Sequence, residues 1–244
     1  RTMAGLCAGL VLAGASVADG QEGPKQPQAE SPPQVLIRNV RVWDGVGDQA
    51  VAGLSVLIEG RLIRKIAVQP ESRPDATVID GGGRILIPGI IYDHTHLALP
   101  APPNELHRED PGYIGALSVR AAGIVLMHGW TTVRDIGGPS QGLARAIDEG
   151  IVDGPRVYTS AAFISQTSGH GDFRDLTAPH PNAGGTPDAF AQRYTLLADG
   201  PAEVRRAVRE SLRQGATAIK LMAGGGISSK FDPIDTTQFS VEEL

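Results

Sequence analysis

Cysteine is nearly absent from this sequence, which has a single one, Cys7, among 244 residues. Cys7 lies inside an apolar N-terminal segment that we expect to be removed. The mature chain would then contain no cysteine, so it could form neither a disulfide nor a thiolate metal ligand. Any metal site has to be built from nitrogen and oxygen ligands.

The sequence also lacks a basic excess and a long apolar run. It has 22 Lys and Arg against 27 Asp and Glu, which gives a net charge of -5, whereas nucleic-acid binders usually carry a basic excess or a basic face. Its N-terminal apolar stretch, residues 3–17, is shorter than the ~20 residues that a membrane span requires. We therefore predict no nucleic-acid partner and no stable membrane span. Hydrophobic residues make up 41% of the chain, which is enough for a folded core.

The first 18 residues have the pattern of a signal peptide. Arg1 precedes the apolar stretch, and Ser16 and Ala18 are the small residues that signal peptidase needs before a cut. We predict cleavage after Ala18 and a periplasmic or secreted protein. A retained membrane anchor or a buried helix is the alternative. Residues 19–34, rich in Gln, Glu, Pro and Gly, predict a flexible linker.

From residue 35 to residue 87 the pattern changes to short β-type runs. Turn signals such as Asp44-Gly45 and Glu59-Gly60 separate these runs. The runs are residues 35–37, 40–43, 54–58, 62–63 and 78–79. We predict a small antiparallel β domain here.

From residue 88 onwards, predicted strands alternate with predicted helices. The strands are residues 90–96, 131–134, 156–165 and 218–222, and the helices are residues 111–128, 142–149 and 202–214. This alternation predicts parallel strands joined by crossover helices, so the fold class is α/β. The segment 168–200 is long for such a connection, and it either covers a site or is a floppy insertion.

His94 and His96 are the first candidate site residues. Residues i and i+2 of a strand point to the same side, so both imidazoles can hold one metal ion or a close pair of ions. Neutral imidazole suits zinc and similar metals. The pair ends an apolar run introduced by Pro88-Gly89, at the end of a strand where barrel enzymes hold their catalytic groups. The alternative is a chance surface pair. Asp93 is positioned to orient a ligand.

Lys220 is the second candidate, because it is the one cation within an apolar predicted strand, residues 218–222. A buried charge there is costly unless it is paired or chemically altered. One interpretation is an ion pair with a neighbouring carboxylate. The other is a neutral amine that reacts with carbon dioxide, giving a carbamate whose oxygens can bridge two metal ions.

His170 is the third candidate, because Gly169 and Gly171 on either side let the backbone bring the imidazole close to a ligand. The alternative is a loop histidine in solvent. Arg134 and Asp135 end a predicted strand and could pair with each other; we interpret them as structural residues first and as site residues second. Three further histidines, His107, His128 and His180, lack such a context.

Five motifs together resemble the amidohydrolase superfamily, in the branch of imidazolonepropionase-like proteins and Xaa-Pro dipeptidases. They are IPGIIYDHTH at 87–96, GWTTVRDIGG at 129–138, GPRV at 154–157, GHGD at 169–172 and IKLM at 219–222. The resemblance implies a (β/α)8 TIM barrel beside a β-sandwich, usually with two zinc ions. It also implies that His94 and His96 bind the more buried ion and that carbamylated Lys220 bridges both. His170 would then lie near the substrate, on its carboxylate.

The resemblance covers the N-terminal part of such a protein. Residues 35–87 would be an incomplete sandwich, and residues 88–244 the first half of the barrel. The family's later histidines and its catalytic aspartate are expected beyond Leu244. We therefore expect a fragment of a longer gene product, inactive alone. A homo-oligomer is left open.

The function implied is hydrolysis of a C–N amide or peptide bond by a metal-bound hydroxide. The expected substrate is a dipeptide or an N-acyl amino acid. One alternative is an imidazolonepropionase-like cyclic amide hydrolase. The other is a non-catalytic half-barrel remnant that acts as a binding protein.

Overall fold

The computed structural model describes residues 31–185, 189–227 and 231–244. The chain divides into two compact units, with the boundary between Ile87 and Pro88. The predicted signal peptide, residues 1–18, and most of the predicted linker lie outside the described residues. The proposed assignment of both segments stays a prediction.

The described part of the first unit forms one five-stranded sheet. Its strands are β1 (Gln34–Val42), β2 (Val51–Glu59), β3 (Leu62–Ala67), β4 (Thr77–Asp80) and β5 (Ile85–Leu86). The order is β3-β2-β1-β4, and β5 also pairs with β1. Strands β1, β2 and β3 are antiparallel neighbours, as predicted. Both β4 and β5 run parallel to β1, so the prediction of a purely antiparallel domain is wrong.

The direction of β4 follows from the path of the chain after β3. Instead of turning back in a hairpin, the chain crosses to the far edge of β1 and re-enters the sheet at the end where β1 begins, so β4 runs parallel to β1. Val40, Val56 and Leu57 are buried in this unit, whereas Ile63 and Ile79 are exposed. The described residues supply one sheet, and the second layer of a sandwich stays a prediction.

The second unit is built around a parallel sheet with crossover helices. The strands β6 (Ile90–Thr95), β7 (Trp130–Asp135) and β8 (Arg156–Thr159) are parallel and lie in the order β6-β7-β8. The helix α2 (Pro111–Met127) joins the first two strands, and α3 (Gln141–Asp148) joins the next two; a short helix, α1 (Pro103–Leu106), precedes α2. The predicted α/β alternation is confirmed for these strands.

Local sequence signals explain where α2 begins and ends. The Asp110 carboxylate accepts hydrogen bonds from the backbone N–H groups of Gly112 (2.8 Å) and Tyr113 (3.3 Å), and Pro111 occupies the first turn. These are the features of a capped helix N-terminus. Gly129 follows with a φ of 89°, a left-handed conformation that ends the helix and starts β7.

The predicted strand at residues 156–165 is broken into β8 and β9 (Phe163–Ser165). Between them Ala161 has a φ of 58°, and its backbone N–H donates to the Thr159 hydroxyl oxygen at 3.0 Å. The Thr159 hydroxyl thus accepts the hydrogen bond that a neighbouring strand would accept in a continuous sheet. Strand β9 pairs in parallel with β10 (Thr195–Leu197), a strand that the sequence did not predict.

The predicted strand at residues 218–222 forms only a single β-bridge, between Ile164 and Leu221. The Ile164 N–H donates to the Lys220 carbonyl (2.9 Å), and the Met222 N–H donates to the Ile164 carbonyl (2.9 Å). The prediction is therefore right in position and direction but wrong in extent. On its other side β9 pairs with β10 over all three of its residues.

The described part of segment 168–200 is folded onto the second unit. It contains a 3-10 helix (Pro181–Ala183), α4 (Ala189–Tyr194) and β10. The Tyr194 hydroxyl donates to the Ala98 carbonyl (2.7 Å), and the Thr195 hydroxyl donates to the Gly171 carbonyl (2.7 Å). These ties favour a segment that shapes its surroundings over a floppy insertion.

The last helix, α5 (Gly200–Arg213), packs one face on the sheet. Val204 and Ala207 are buried against Ile164, Ala198 and Phe239. Its outward face is charged, as the sequence predicted. Among the helices of the described ranges, none combines the length and apolarity needed to cross a membrane.

Candidate functional site

His94 and His96 lie together at the carboxyl end of β6. His94 is in the strand and His96 is the first residue after its end, with Thr95 buried between them. The two imidazole rings are 5.2 Å apart between centroids and meet edge to face at 77°. Both side chains are exposed. The structure thus brings the two predicted ligands to one side of the strand.

The loop after β7 packs directly against His96. The Ile136 N–H donates to the Thr95 carbonyl at 3.0 Å, which joins the ends of the two strands. Gly137 follows, and a Cβ atom there would overlap the His96 ring at Nδ1. Glycine is therefore required at position 137 by close approach, because any side chain would displace the imidazole.

Lys220 completes what we term the basic cluster: His94, His96 and Lys220. Its charge contributes to lowering the pKa of both histidines, so the three groups lie within electrostatic reach of one another. The Lys220 side chain is half-buried. Burial lowers the pKa of Lys220 first, and the nearby Arg134 lowers it further. Both effects favour the neutral amine.

Lys220 has no ion-pair partner among the described residues, although the ion-pair interpretation requires one. None of the ion pairs formed by residues 31–185, 189–227 and 231–244 includes Lys220. A cation that is half-buried without a carboxylate is costly as a charged group. This observation favours the chemically altered lysine over the ion pair.

The imidazoles of the basic cluster are set to be neutral. Burial lowers the pKa of His94 most, followed by the charge of Lys220. The pKa of His96 is lowered to about 4, by burial first and then by His94 and Lys220. A metal ion binds the neutral ring, so this electrostatic environment suits ligation.

Arg134 and Asp135 do not form the pair that the sequence allowed; each has other partners. Adjacent strand residues face opposite sides. Arg134 is exposed, and its Nε donates to the Asp93 carbonyl at 2.8 Å. Asp135 is fully buried and bonds to backbone amides. Asp93 itself is exposed, and its charge opposes the lowering of the His94 pKa.

His170 is held by a buried carboxylate. Its Nδ1 lies 3.0 Å from Asp232 Oδ2, and the Asp232 side chain is 1% exposed. The backbone N–H of His170 donates to Gln238 Oε1 at 3.0 Å. Asp232 Oδ2 also accepts from the Gly226 N–H at 3.0 Å, and a Cβ on Gly226 would overlap the His170 ring. We term this arrangement the His170–Asp232 pair.

Sequence reasoning missed Asp232 and Gln238. They lie 62 and 68 residues from His170, and no spacing rule joins them. The available signal was the glycine run at residues 224–226, which permits close backbone approach. His170 contacts this region of the chain, whereas Lys220 influences the pKa of His94 and His96.

Only part of a metal site is supplied by the described residues. No group of three or more His, Cys, Asp or Glu side chains in these ranges is placed to hold a metal ion. The basic cluster supplies two neutral imidazoles on one side of a strand and an amine with a lowered pKa. Nitrogen donors of this kind fit zinc and similar metals, with further ligands needed to complete a coordination shell.

Comparison with known proteins now places the chain. The model of the Amidohydrolase family matches residues 85–244, which is more than half of the sequence. The chain belongs to the amidohydrolase family. The matched range contains the basic cluster and the His170–Asp232 pair.

Two curated relatives resemble this amidohydrolase chain in sequence. Ochratoxinase of Aspergillus niger is 41% identical over 139 residues, which cover 55% of the chain and 29% of the relative. Dihydroorotase of Streptococcus pyogenes is 34% identical over 148 residues, which cover 59% of the chain and 32% of the relative.

Solved structures agree with this family membership. A prolidase solved with N-methylphosphonate-L-proline has a TM-score of 0.75 at 34% identity, covering 86% of this chain and 51% of that one. The solved ochratoxinase has a TM-score of 0.70 at 28% identity, covering 88% and 52%. The chain spans about half the length of these structures, as expected for an N-terminal part.

Proposed function

We propose that the complete protein is a metal-dependent amidohydrolase that hydrolyses a C–N amide or peptide bond of a small substrate. The observation that carries the proposal is the basic cluster at the end of β6. In a member of the amidohydrolase family, two neutral imidazoles beside a half-buried lysine that takes part in none of the ion pairs of the described residues form the beginning of a metal site.

The fold we propose is the first half of a (β/α)8 barrel. Its first three strands would be β6, β7 and β8 extended by β9, and its fourth would be the segment around Leu221. The parallel order β6-β7-β8 supports this assignment. So does the exposure of three consecutive large side chains on β6, Ile90, Ile91 and Tyr92, because a contiguous exposed apolar patch of this kind marks a surface that packs against other chain.

His94 and His96 would hold the metal, which we take to be zinc, with two ions in the complete subunit. When bound, the metal would polarise the substrate carbonyl and lower the pKa of water. Lys220 would be carbamylated. Its neutral amine nitrogen attacks the carbon of CO2, a C–N bond forms, and one N–H proton is released to solvent. The product is an anionic carbamate with two oxygen ligands.

His170 would contact the substrate rather than the metal. When its Nδ1–H donates to Asp232, the lone pair of the neutral ring is on Nε2. We propose that this imidazole, held in place by Asp232, contacts the carboxylate of a dipeptide or of an N-acyl amino acid.

The structural neighbours favour this substrate class over the alternatives. The prolidase neighbour was solved with N-methylphosphonate-L-proline, which resembles a dipeptide. The likeness to dihydroorotase keeps a cyclic amide as the second candidate. A non-catalytic binding protein is the third, and it predicts ligand binding without turnover.

The test is an assay of the complete protein, loaded with zinc, against Xaa-Pro dipeptides, N-acyl amino acids and cyclic amides. We expect turnover of the first two groups and its loss on treatment with a chelator. Turnover of cyclic amides alone would favour the second candidate. Substrate binding without hydrolysis of any group, at full zinc content, would overturn the proposal.

We also propose that the protein is exported. The support is the sequence pattern of residues 1–18 alone. Expression with the native leader in a bacterium should release a mature protein that begins at Asp19. An exported protein that retains residues 1–18 at N-terminal sequencing would contradict this proposal.

A further inference from the structure

Asp135 is a buried carboxylate to which the proposed mechanism gives no role. It lies at the end of β7 and is 0% exposed. Burying a carboxylate is costly unless hydrogen bonds compensate for the lost water. Most buried positions on a strand are therefore apolar, as Val133 is two residues earlier on the same face. An acid at such a position calls for an explanation.

The two carboxylate oxygens of Asp135 reach two different loops. Oδ2 accepts the backbone N–H of Ala98 at 3.0 Å, in the loop after β6. Oδ1 accepts the backbone N–H of Gly137 at 3.2 Å, in the loop after β7. The N–H of Leu97 is a further donor. One side chain thus joins the ends of neighbouring strands.

One of these loops follows His96 directly in the chain, and the other packs against its ring. Leu97 and Ala98 are the two residues that follow it, so their hydrogen bonds fix the backbone on its carboxyl side. Gly137 lies against the His96 ring, where a Cβ would overlap Nδ1. The Ala98 carbonyl is held in turn by the Tyr194 hydroxyl at 2.7 Å. The imidazole is therefore held between two pieces of backbone that share Asp135 as their acceptor.

We propose that Asp135 is a positioning residue that fixes the His96 imidazole for metal binding. This proposal rests on the proposed function, in which His96 is a metal ligand. To hold both loops, the side chain at position 135 must have two acceptor oxygens. The Asp135→Asn variant has nearly the same size, but its amide NH2 would face one of the backbone N–H groups. Two donors cannot bond to each other, so one loop should move away.

The experiment compares Asp135→Asn with Val133→Ala in the complete protein. Val133 is buried on the same strand and face, so Val133→Ala lowers stability by leaving a cavity but leaves both loops tied. Zinc affinity is measured by competition with a chelating dye. The His96 ring resonances are followed by NMR in the metal-free protein.

We expect Asp135→Asn to weaken zinc binding by about 10-fold and to shift the His96 resonances. Val133→Ala should change neither, even where it lowers stability equally. Equal effects of the two variants on zinc affinity, or unchanged His96 resonances in Asp135→Asn, would show that Asp135 is only a structural residue.

Two further measurements separate the possible failures. If Asp135→Asn does not fold, amide hydrogen exchange of the wild-type protein decides: protected Ala98 and Gly137 N–H groups support the proposal, and rapid exchange overturns it. If His96→Ala leaves zinc affinity unchanged, the proposed function fails instead. Asp135 is then judged on the His96 resonances alone.

Discussion

The basic cluster and the His170–Asp232 pair place their imidazoles in different electrostatic surroundings. In the basic cluster, burial and then the charge of Lys220 lower the pKa of His94, and burial, His94 and Lys220 lower that of His96. None of the described ion pairs includes Lys220. In the pair, a buried carboxylate holds the Nδ1 of His170 at 3.0 Å. The first arrangement favours neutral ligands for a cation, whereas the second fixes the orientation of one imidazole.

This contrast divides the site into two functions that can be separated by experiment. A change in the basic cluster should remove the metal and with it all turnover. A change in the pair should leave the metal in place and alter how the substrate is held.

Removing an imidazole of the basic cluster should have the largest effect. In the complete protein, His94→Ala or His96→Ala should empty the proposed metal position and lower kcat/KM by about a thousandfold, since the metal would supply both electrophile and nucleophile. Metal content by atomic emission and turnover are measured together. His128→Ala is the matched control, because His128 is exposed and lies at the end of α2. Unchanged metal content in His94→Ala would contradict the assignment.

Lys220 should show the next largest effect and a diagnostic rescue. Lys220→Ala should lose metal and activity, by about a hundredfold in kcat/KM, because the bridging oxygens are missing. A short carboxylic acid such as propionate fits the vacated space and should partly restore both. Lys220→Arg is the matched control: arginine fills the space and cannot form a carbamate. Equal activity of Lys220→Arg and the wild type would show that the lysine acts as a plain cation.

The His170–Asp232 pair should respond differently from the basic cluster. Asp232→Asn should lower kcat/KM about 10-fold, which corresponds to the loss of one charged hydrogen bond. It should leave zinc content unchanged. The loss should be greater for substrates with a free carboxylate than for their amides. Asp235→Asn is the control, because Asp235 is an exposed acid in the same segment. Loss of zinc from Asp232→Asn would show that the pair also takes part in metal binding, which contradicts the proposed separation of the two functions.

How much of this site could be predicted depends on the range of the interactions involved. His94 and His96 could be predicted because strand alternation is a local rule. The extent of the strand around Lys220 could not, because it depends on the pairing with β9. Asp135 was interpreted as a structural residue that could pair with Arg134, since the sequence does not reveal which backbone amides lie opposite a carboxylate. Asp232 depends on a contact between residues 62 positions apart.

The same limit applies to the first unit. Turn residues and apolar alternation predicted the positions of its strands. They carry no information on strand direction, which depends on the end of the sheet at which the chain re-enters after β3. The parallel pairing of β4 and β5 is therefore a consequence of chain path rather than of local pattern.

The smallest expected effect is a pair of opposite pH dependences in the metal-free protein. The pKa of His96 is lowered to about 4 in the folded state, from 6.5. The folded state then binds fewer protons than the unfolded state in this range, so His96 contributes stability that grows as the pH rises from about 4 to 6.5. Burial raises the pKa of Asp135 from 3.8 to about 6, against the hydrogen bonds from Ala98 and Gly137. Asp135 therefore contributes to the stability of the folded state below about pH 4, and this contribution is lost as the pH rises through 6.

Urea unfolding of wild type, His96→Gln and Asp135→Asn between pH 4 and 7 measures both contributions. The free energy of unfolding of the wild type minus that of His96→Gln should rise with pH. The slope should stay below the limit of about 1.4 kcal/mol per pH unit, because the exposed ring is partly screened by water. The wild type minus Asp135→Asn should fall over the same range. Two slopes of the same sign would show that His96 and Asp135 do not experience the separate environments described for them, although they lie on neighbouring strand ends.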